Sequence, residues 1–228
     1  RRVDGLIIFP LQRGVNISHI RELQEANLPF VLLAEVPGID ADLVRSDDKT
    51  GAYNATRHLL EQGHRDLVYI SGPESFIAND RRLQGFQNAL QEFEITFDSS
   101  CVVKSGWRLQ DGYEAGKFLI QQKKTLPDGA FCYNDPVAIG FMRALSENGI
   151  QVPQQVAVIG FDDSSVSAYL NPGLTTVAQP AREIGRQAAQ RLIERIREKT
   201  KRAPAKHIYM QTHLVIRESC GAQETITV

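Results

Sequence analysis

The sequence predicts an α/β protein built on mostly parallel sheets. Three observations lead there. Short β-rich runs alternate with segments whose apolar residues recur at helical spacing. Gly63 and Gly149 each follow such a segment, in the position just past a helix C-terminus. The alternation continues along the chain without an internal repeat at fixed period or a low-complexity linker. Strand and helix in strict alternation imply parallel strands with helices on both faces.

The elements follow in order. Val3–Phe9 reads as a strand, then a helix around Ser18–Ala26 and a strand at Phe30–Leu33. Thr50–Gln62 is a helix, Leu67–Ile70 a strand, and Asn79–Phe93 a helix with Leu83, Phe86, Ala89, Leu90 and Phe93 on one stripe. Cys101–Val103 is a strand, Leu109–Gln122 a helix, Ala130–Tyr133 a strand and Pro136–Asn148 a helix. Val156–Ile159 is a strand. Ala181–Glu198 is a long helix carrying Ile184, Ala188, Leu192 and Ile196 at helical spacing, and His207–Tyr209 and Leu214–Ile216 are short strands.

The totals narrow the function. The 228 residues are 42% hydrophobic and 23% charged, enough for one large core or two small ones. A net charge of −1 gives the chain no electrostatic case for nucleic acid or an acidic membrane. Lys and Arg cluster between Arg182 and Arg202, which reads as a solvated helix face. No stretch approaches the ~20 apolar residues that span a bilayer, and no signal peptide opens the chain. Arg1-Arg2 runs straight into Leu6-Ile7-Ile8-Phe9, as in a piece of something longer. Cys101, Cys132 and Cys220 are odd in number and widely spaced, so they read as reduced thiols of a cytosolic protein.

Ligands of open α/β sheets bind beyond the carboxyl ends of the strands. Leu67–Ile70 is followed by Ser71-Gly72-Pro73 and then by Arg81-Arg82; Cys101–Val103 leads to Gly106-Trp107, the sole Trp. Asn134 and Asp135 follow Ala130–Tyr133, and Gly160-Phe161-Asp162-Asp163 follows Val156–Ile159. Four strand ends thus deliver Arg, Trp, Asn and Asp to one edge. That set suits a sugar: Asp accepts from hydroxyls, Arg donates through a fork, Asn does both, and an indole covers the apolar ring face. With one or two cations present, a highly phosphorylated ligand is less favoured.

Each residue also has a plainer reading. Asn134 or Asp135 before Pro136 is a natural N-cap. Asp162-Asp163 could be only a turn, Arg82 could pair with an acid, and Trp107 could lie in a core. The case rests on convergence. Enzyme signatures are missing: the chain has no G-x-G-x-x-G after a strand, no G-x-x-x-x-G-K-[ST] and no G-x-S-x-G. The five His do not fall at metal-ligand spacing, so neither a metal nor a cofactor is expected.

These residues resemble the ligand-binding region of the lac repressor/galactose repressor family of bacterial transcription regulators. The resemblance is carried by "VDGLIIF" at 3–9, "GAYNATRHLLEQGHRDLVYISGP" at 51–73, "RRLQGFQNAL" at 81–90, "DGYEAG" at 111–116, "FCYNDPVAIGFMRAL" at 131–145, "VPQQVAVIGFDDSSVSAYLNPGLTTVAQP" at 152–180 and "HLVIRES" at 213–219. The run from Val156 to Pro180 is the most specific.

The resemblance implies two Rossmann-like subdomains of the type I periplasmic-binding-protein-like fold, joined by three crossovers, with the effector in the cleft between them. One subdomain would hold 1–46 and 179–207, the other 47–178 and 208–220, leaving 221–228 as a tail. Effector contacts would fall on Arg82 in R-L-x-G-F, Trp107 at the aromatic position, Asn134 in N-D-x-x-A-x-G, Asp162 in G-F-D-D and Gln179 in T-T-V-x-Q. Asn134 would then face the ligand and Asp135 serve the helix start. Asp162→Ala and Arg82→Ala should each weaken ligand binding by at least ~1.5 kcal/mol, typical of a charge-assisted hydrogen bond, while the apo melting temperature hardly moves.

Two departures bear on the ligand: Ala34-Glu35 stands where many members have an Asp, and Ala78 replaces a small polar residue four before the Arg. The implied partners are a sugar-like effector, operator DNA through a helix-turn-helix not among these residues, and a second copy in a homodimer or tetramer. A soluble sugar-binding protein of an ABC transporter is the alternative.

Overall fold

The structure is a computed structural model and describes residues 3–10, 17–122, 125–197 and 204–222. Two compact units emerge. The smaller holds the chain up to Asp47, with Ser75–Ile77 and Pro180–Gln211; the larger holds Asp48–Glu74, Ala78–Gln179 and the chain from Thr212 onward. The chain therefore passes between them at 47/48, 179/180 and 211/212, against the 46/47, 178/179 and 207/208 read from sequence, with Ser75–Ile77 as an added excursion. The last difference has a physical cause. The strand His207–Met210 pairs along its full length with Asp42–Ser46 of the smaller unit and cannot be split.

The smaller unit contains β1 (Leu6–Ile8), α1 (Ser18–Glu25), β2 (Phe30–Leu32), β3 (Asp42–Ser46), α6 (Ala181–Arg197) and β9 (His207–Met210). Its four strands run parallel in the order β1-β2-β3-β9. The two-residue period of a strand sorts the core. Phe30, Leu32 and Leu43 face Ile20 of α1, while Val31 and Val44 face Ala188 of α6.

β3 was not read from sequence, because Asp42 and Arg45 interrupt its apolar run. Asp42 is buried and matched. Its carboxylate accepts from Arg191 Nε at 2.8 Å, Arg195 Nε at 2.6 Å and the Lys206 N–H at 2.7 Å. Burial alone would raise its pKa; the bonds from Arg195, Lys206 and Arg191 outweigh that and hold it below the ordinary value.

The larger unit contains α2 (Asp48–Glu61), β4 (Leu67–Ile70), α3 (Ile77–Glu92), β5 (Val102–Val103), α4 (Leu109–Gln122), β6 (Gly129–Cys132), α5 (Asp135–Glu147), β7 (Ala157–Asp162), β8 (Thr175–Ala178) and β10 (His213–Val215). Its sheet runs β10-β8-β7-β6-β4-β5, all parallel except β10, which pairs antiparallel with β8. On one face Phe86, Tyr69, Phe131 and Phe161 form, in that order, a connected aromatic row with centroid spacings of 5.9, 5.4 and 6.5 Å. On the other, Val68, Ile70 and Val158 pack with Leu119 of α4 and Phe141 and Leu145 of α5.

α4 and α5 touch through glycine. A Cβ on Gly112 would stand 2.0 Å from the Val137 carbonyl oxygen, and one on Gly140 1.9 Å from that of Leu109. β8 and three short 3-10 helices, at Ser99–Cys101, Ser165–Tyr169 and Glu218–Cys220, are the other elements the sequence reading missed. The predicted end of the long helix at Glu198, and the tail beyond Ala222, lie outside the described residues. All three cysteines are unbridged; Cys132 and Cys220 are buried and Cys101 partly so. Among the described residues no helix is long and apolar enough to cross a membrane.

Candidate functional site

Strands β5, β4, β6, β7 and β8 lie side by side and parallel, so their carboxyl ends share one rim of the larger unit's sheet. The chain moves outward from β4 to β5 and then crosses back to β6. The connections after β4 and β6 therefore depart in opposite directions, and it is at such a switch point that open α/β sheets hold ligands.

Arg82 sits in the second turn of α3 and is 4% exposed. Its Nε and Nη2 donate to Asp48 Oδ1 at 3.0 and 2.8 Å, and Nη1 donates to the Tyr133 carbonyl. The guanidinium lies 3.6 Å over the Phe161 ring and 4.6 Å from that of Tyr133. Burial disfavours its charge, but Asp48 and Asp162 more than compensate and keep it protonated. The plainer reading of Arg82, pairing with an acid, is thus met: the buried charge required a counter-ion, and Asp48 supplies it.

Asp162 closes β7 at φ +116°, and Asp163 follows at φ +53°. Both are non-glycine residues in backbone regions that cost energy, a feature that clusters at functional sites. Asp162 accepts from Gln179 Nε2 at 2.5 Å and stands 3.8 Å from Arg82 Nη2. Burial pushes its pKa up to about 6, although Arg82 and Gln179 pull the other way. Its side chain as a whole stays 36% exposed. Asp163 turns instead to Arg217, 2.8 Å away.

The helix start is served by Asn134 and not, as expected, by Asp135. Asn134 is the N-cap of α5: its Oδ1 accepts the Val137 N–H at 2.9 Å. Its Nδ2 donates to the Trp107 carbonyl at 3.0 Å and ties the β6 and β5 ends together. Asp135 does not cap. Its carboxylate accepts from the Ser164 N–H, Ser167 Oγ and Thr176 Oγ1 at 2.7, 2.7 and 2.5 Å, fixing the loop after β7 to β8. Burial raises its pKa against those bonds.

Trp107 is 46% exposed, so it is not a core aromatic. Its backbone N–H donates to Asp111 Oδ2 at 3.0 Å, and the Arg108 guanidinium lies 5.3 Å from its ring. The rim thus gathers Trp107, Arg82, Asn134, Asp162 and Gln179 from five adjacent strand ends.

Sequence reasoning missed four contributors. Asp48 opens α2 and reads like an ordinary first-turn acid. Asn79 is buried, with Oδ1 accepting from Tyr69 Oη and the Gly72 N–H at 2.9 and 2.8 Å. Tyr133 and Phe161 supply the faces that cover Arg82. In the smaller unit, Glu35 pairs with Arg45 at 3.8 Å and accepts from Tyr209 Oη at 3.4 Å.

A hydroxylated molecule fits this chemistry: a carboxylate to accept, an amide to donate or accept, and an exposed indole for C–H faces. Known proteins carry the same framework. The periplasmic binding protein-like domain pattern matches residues 56–220. The HTH-type transcriptional repressor PurR of Histophilus somni (strain 129Pt) is 35% identical over 221 residues, covering 96% of this chain and 65% of the repressor. The chain spans just under two thirds of that relative.

Among solved structures, the transcriptional regulator CelR–cellobiose complex aligns at 32% identity and TM-score 0.88, over 96% of this chain and 66% of that one. A LacI family transcriptional regulator from Enterococcus faecium with bound ribose aligns at 30% identity and TM-score 0.83, over 95% of this chain and 79% of that one. By this pattern and these relatives, the chain belongs to the periplasmic-binding-protein-like domain family and matches the effector-binding region of a lac repressor/galactose repressor regulator.

Proposed function

We propose that this chain senses a sugar or sugar derivative at the strand-end rim of its larger unit, without catalysing a reaction. In the whole protein, a homodimer in the cytoplasm, binding would change the grip of a helix-turn-helix outside these 228 residues on operator DNA. The observation that supports this most is the convergence of Arg82, Trp107, Asn134, Asp162 and Gln179 on one rim. Asp162 and Gln179 offer the polar groups, Trp107 the stacking face, and Arg82 and Asn134 the frame that holds them. Solved regulators of this type with cellobiose and with ribose favour the same ligand class. Control of DNA binding then requires that the ligand prefer one of two states of the regulator, by a differential affinity and not by tightness alone.

A thermal-shift screen over neutral mono- and disaccharides, sugar phosphates, nucleosides and purines tests the ligand class. A ligand at 100 times its Kd stabilises by about 2.7 kcal/mol. The expected result is a saturable shift with a saccharide, lost in Asp162→Ala. A shift from purines alone, or one that Asp162→Ala leaves intact, overturns the reading.

A further inference from the structure

Arg82 is the natural anion receptor of the rim, yet its pairing edge is occupied. A guanidinium meets a phosphate or carboxylate through two parallel N–H bonds. Here the Nε/Nη2 edge is already bound to Asp48 Oδ1, and Nη1 to the Tyr133 carbonyl. Asp162 stands 3.8 Å from Nη2 as a second carboxylate. One cation thus faces two acids, and with both ionised the trio sums to −1. Burial shields Arg82 and Asp48 from salt screening.

The neighbouring charges do not reverse that balance. Lys104 pairs with Glu74 at 2.6 Å and Arg217 with Asp163 at 2.8 Å. Arg108 lies over Trp107, on the turn whose N–H groups bind Asp111. Asp135 adds a further buried acid, held only by neutral donors.

We infer that Asp48 is a specificity-determining residue: by neutralising Arg82 it makes the rim accept uncharged polyhydroxyl ligands and reject anionic ones such as sugar phosphates and uronates. A neutral hydroxyl can donate to Asp162 with no charge penalty. An anion at the same place meets a net negative field and no free guanidinium edge. The inference rests on the rim being the ligand site proposed above, and it adds the charge class of the ligand and the residue that sets it.

The test is calorimetric titration of the chain and of Asp48→Asn with glucose, ribose and cellobiose, and with glucose 6-phosphate, glucuronate and inorganic phosphate. Asn keeps the shape and one acceptor, and an unchanged far-UV spectrum with a cooperative unfolding transition above the titration temperature shows that the variant, though less stable, is folded. Wild type should bind a neutral sugar at least ~10-fold more tightly than its anionic counterpart, and Asp48→Asn should move that ratio toward the anion by ~10-fold or more. It should also acquire saturable phosphate binding that wild type lacks. Saturable phosphate binding by wild type, or an unchanged neutral-to-anion ratio in Asp48→Asn, overturns the role of Asp48. If no saccharide binds wild type and Asp48→Asn still gains phosphate, the proposed ligand falls while the role of Asp48 stands.

Discussion

Arg82 and Asp48 are each 95% or more out of solvent as side chains, and each is tolerable only because the other is there. Removing one partner of a buried pair typically costs about 3–5 kcal/mol, because the survivor is left uncompensated. Arg82→Ala should therefore lower stability by about that amount in urea unfolding, contrary to the negligible effect expected from sequence. Arg82→Met combined with Asp48→Asn should recover most of the loss, since two neutral side chains leave no charge unmatched. Asp162 gives a second test at this scale. Its folded pKa, about 6, lies above the roughly 3.9 of an unfolded Asp. Protonation thus stabilises the native state fully below the lower value, and the benefit fades as pH rises through the higher. Asp162→Asn should raise the apo melting temperature at pH 8 and match the parent near pH 3.5. Arg82, Trp107, Asn134 and Asp162 could be chosen because position after a strand is readable; Gln179 came only from the family resemblance, since the strand it follows, β8, was not read. Asp48 was not readable: it lies 34 positions before Arg82, and nothing in its local pattern marks its partner.

Among the elements, those with apolar runs or strong periodicity were legible; Leu67–Ile70 and Leu109–Gln122 occur with the bounds expected. β3 and β8 were not. The first carries Asp42 and Arg45, and the second is a short strand with two threonines. Their hydroxyls and charges are satisfied by partners distant in sequence, such as Arg191 for Asp42 and Arg217 for Thr175. The helix starts make their own prediction. Asn134→Ala removes the cap of α5 and the bond to the Trp107 carbonyl together. The expected loss is about 1 kcal/mol for the cap, with a red shift in Trp107 emission that Asp135 variants need not share. The α4–α5 contact is stricter. Gly140→Ala places a methyl where the Leu109 carbonyl sits, so the helices must part, and a loss of at least about 1–3 kcal/mol is expected in thermal unfolding.

At the scale of the whole molecule, the alternation of strand and helix was sufficient for the fold class, because each parallel connection needs a helix to return. It did not give the points where the chain leaves one unit for the other, which depend on pairings such as β9 with β3. The free cysteines have a practical consequence at this scale. Cys132 lies in the central β6 and burial pushes its thiol pKa far up, so neither reagent nor thiolate is available there in the native fold. Cys101, in the 3-10 turn just before β5, is only partly covered. A maleimide pulse should therefore tag Cys101 first, and Cys132 only in molecules whose β-layer has opened. The ratio of the two labels then serves as a clock for unfolding, and a bound effector should slow it.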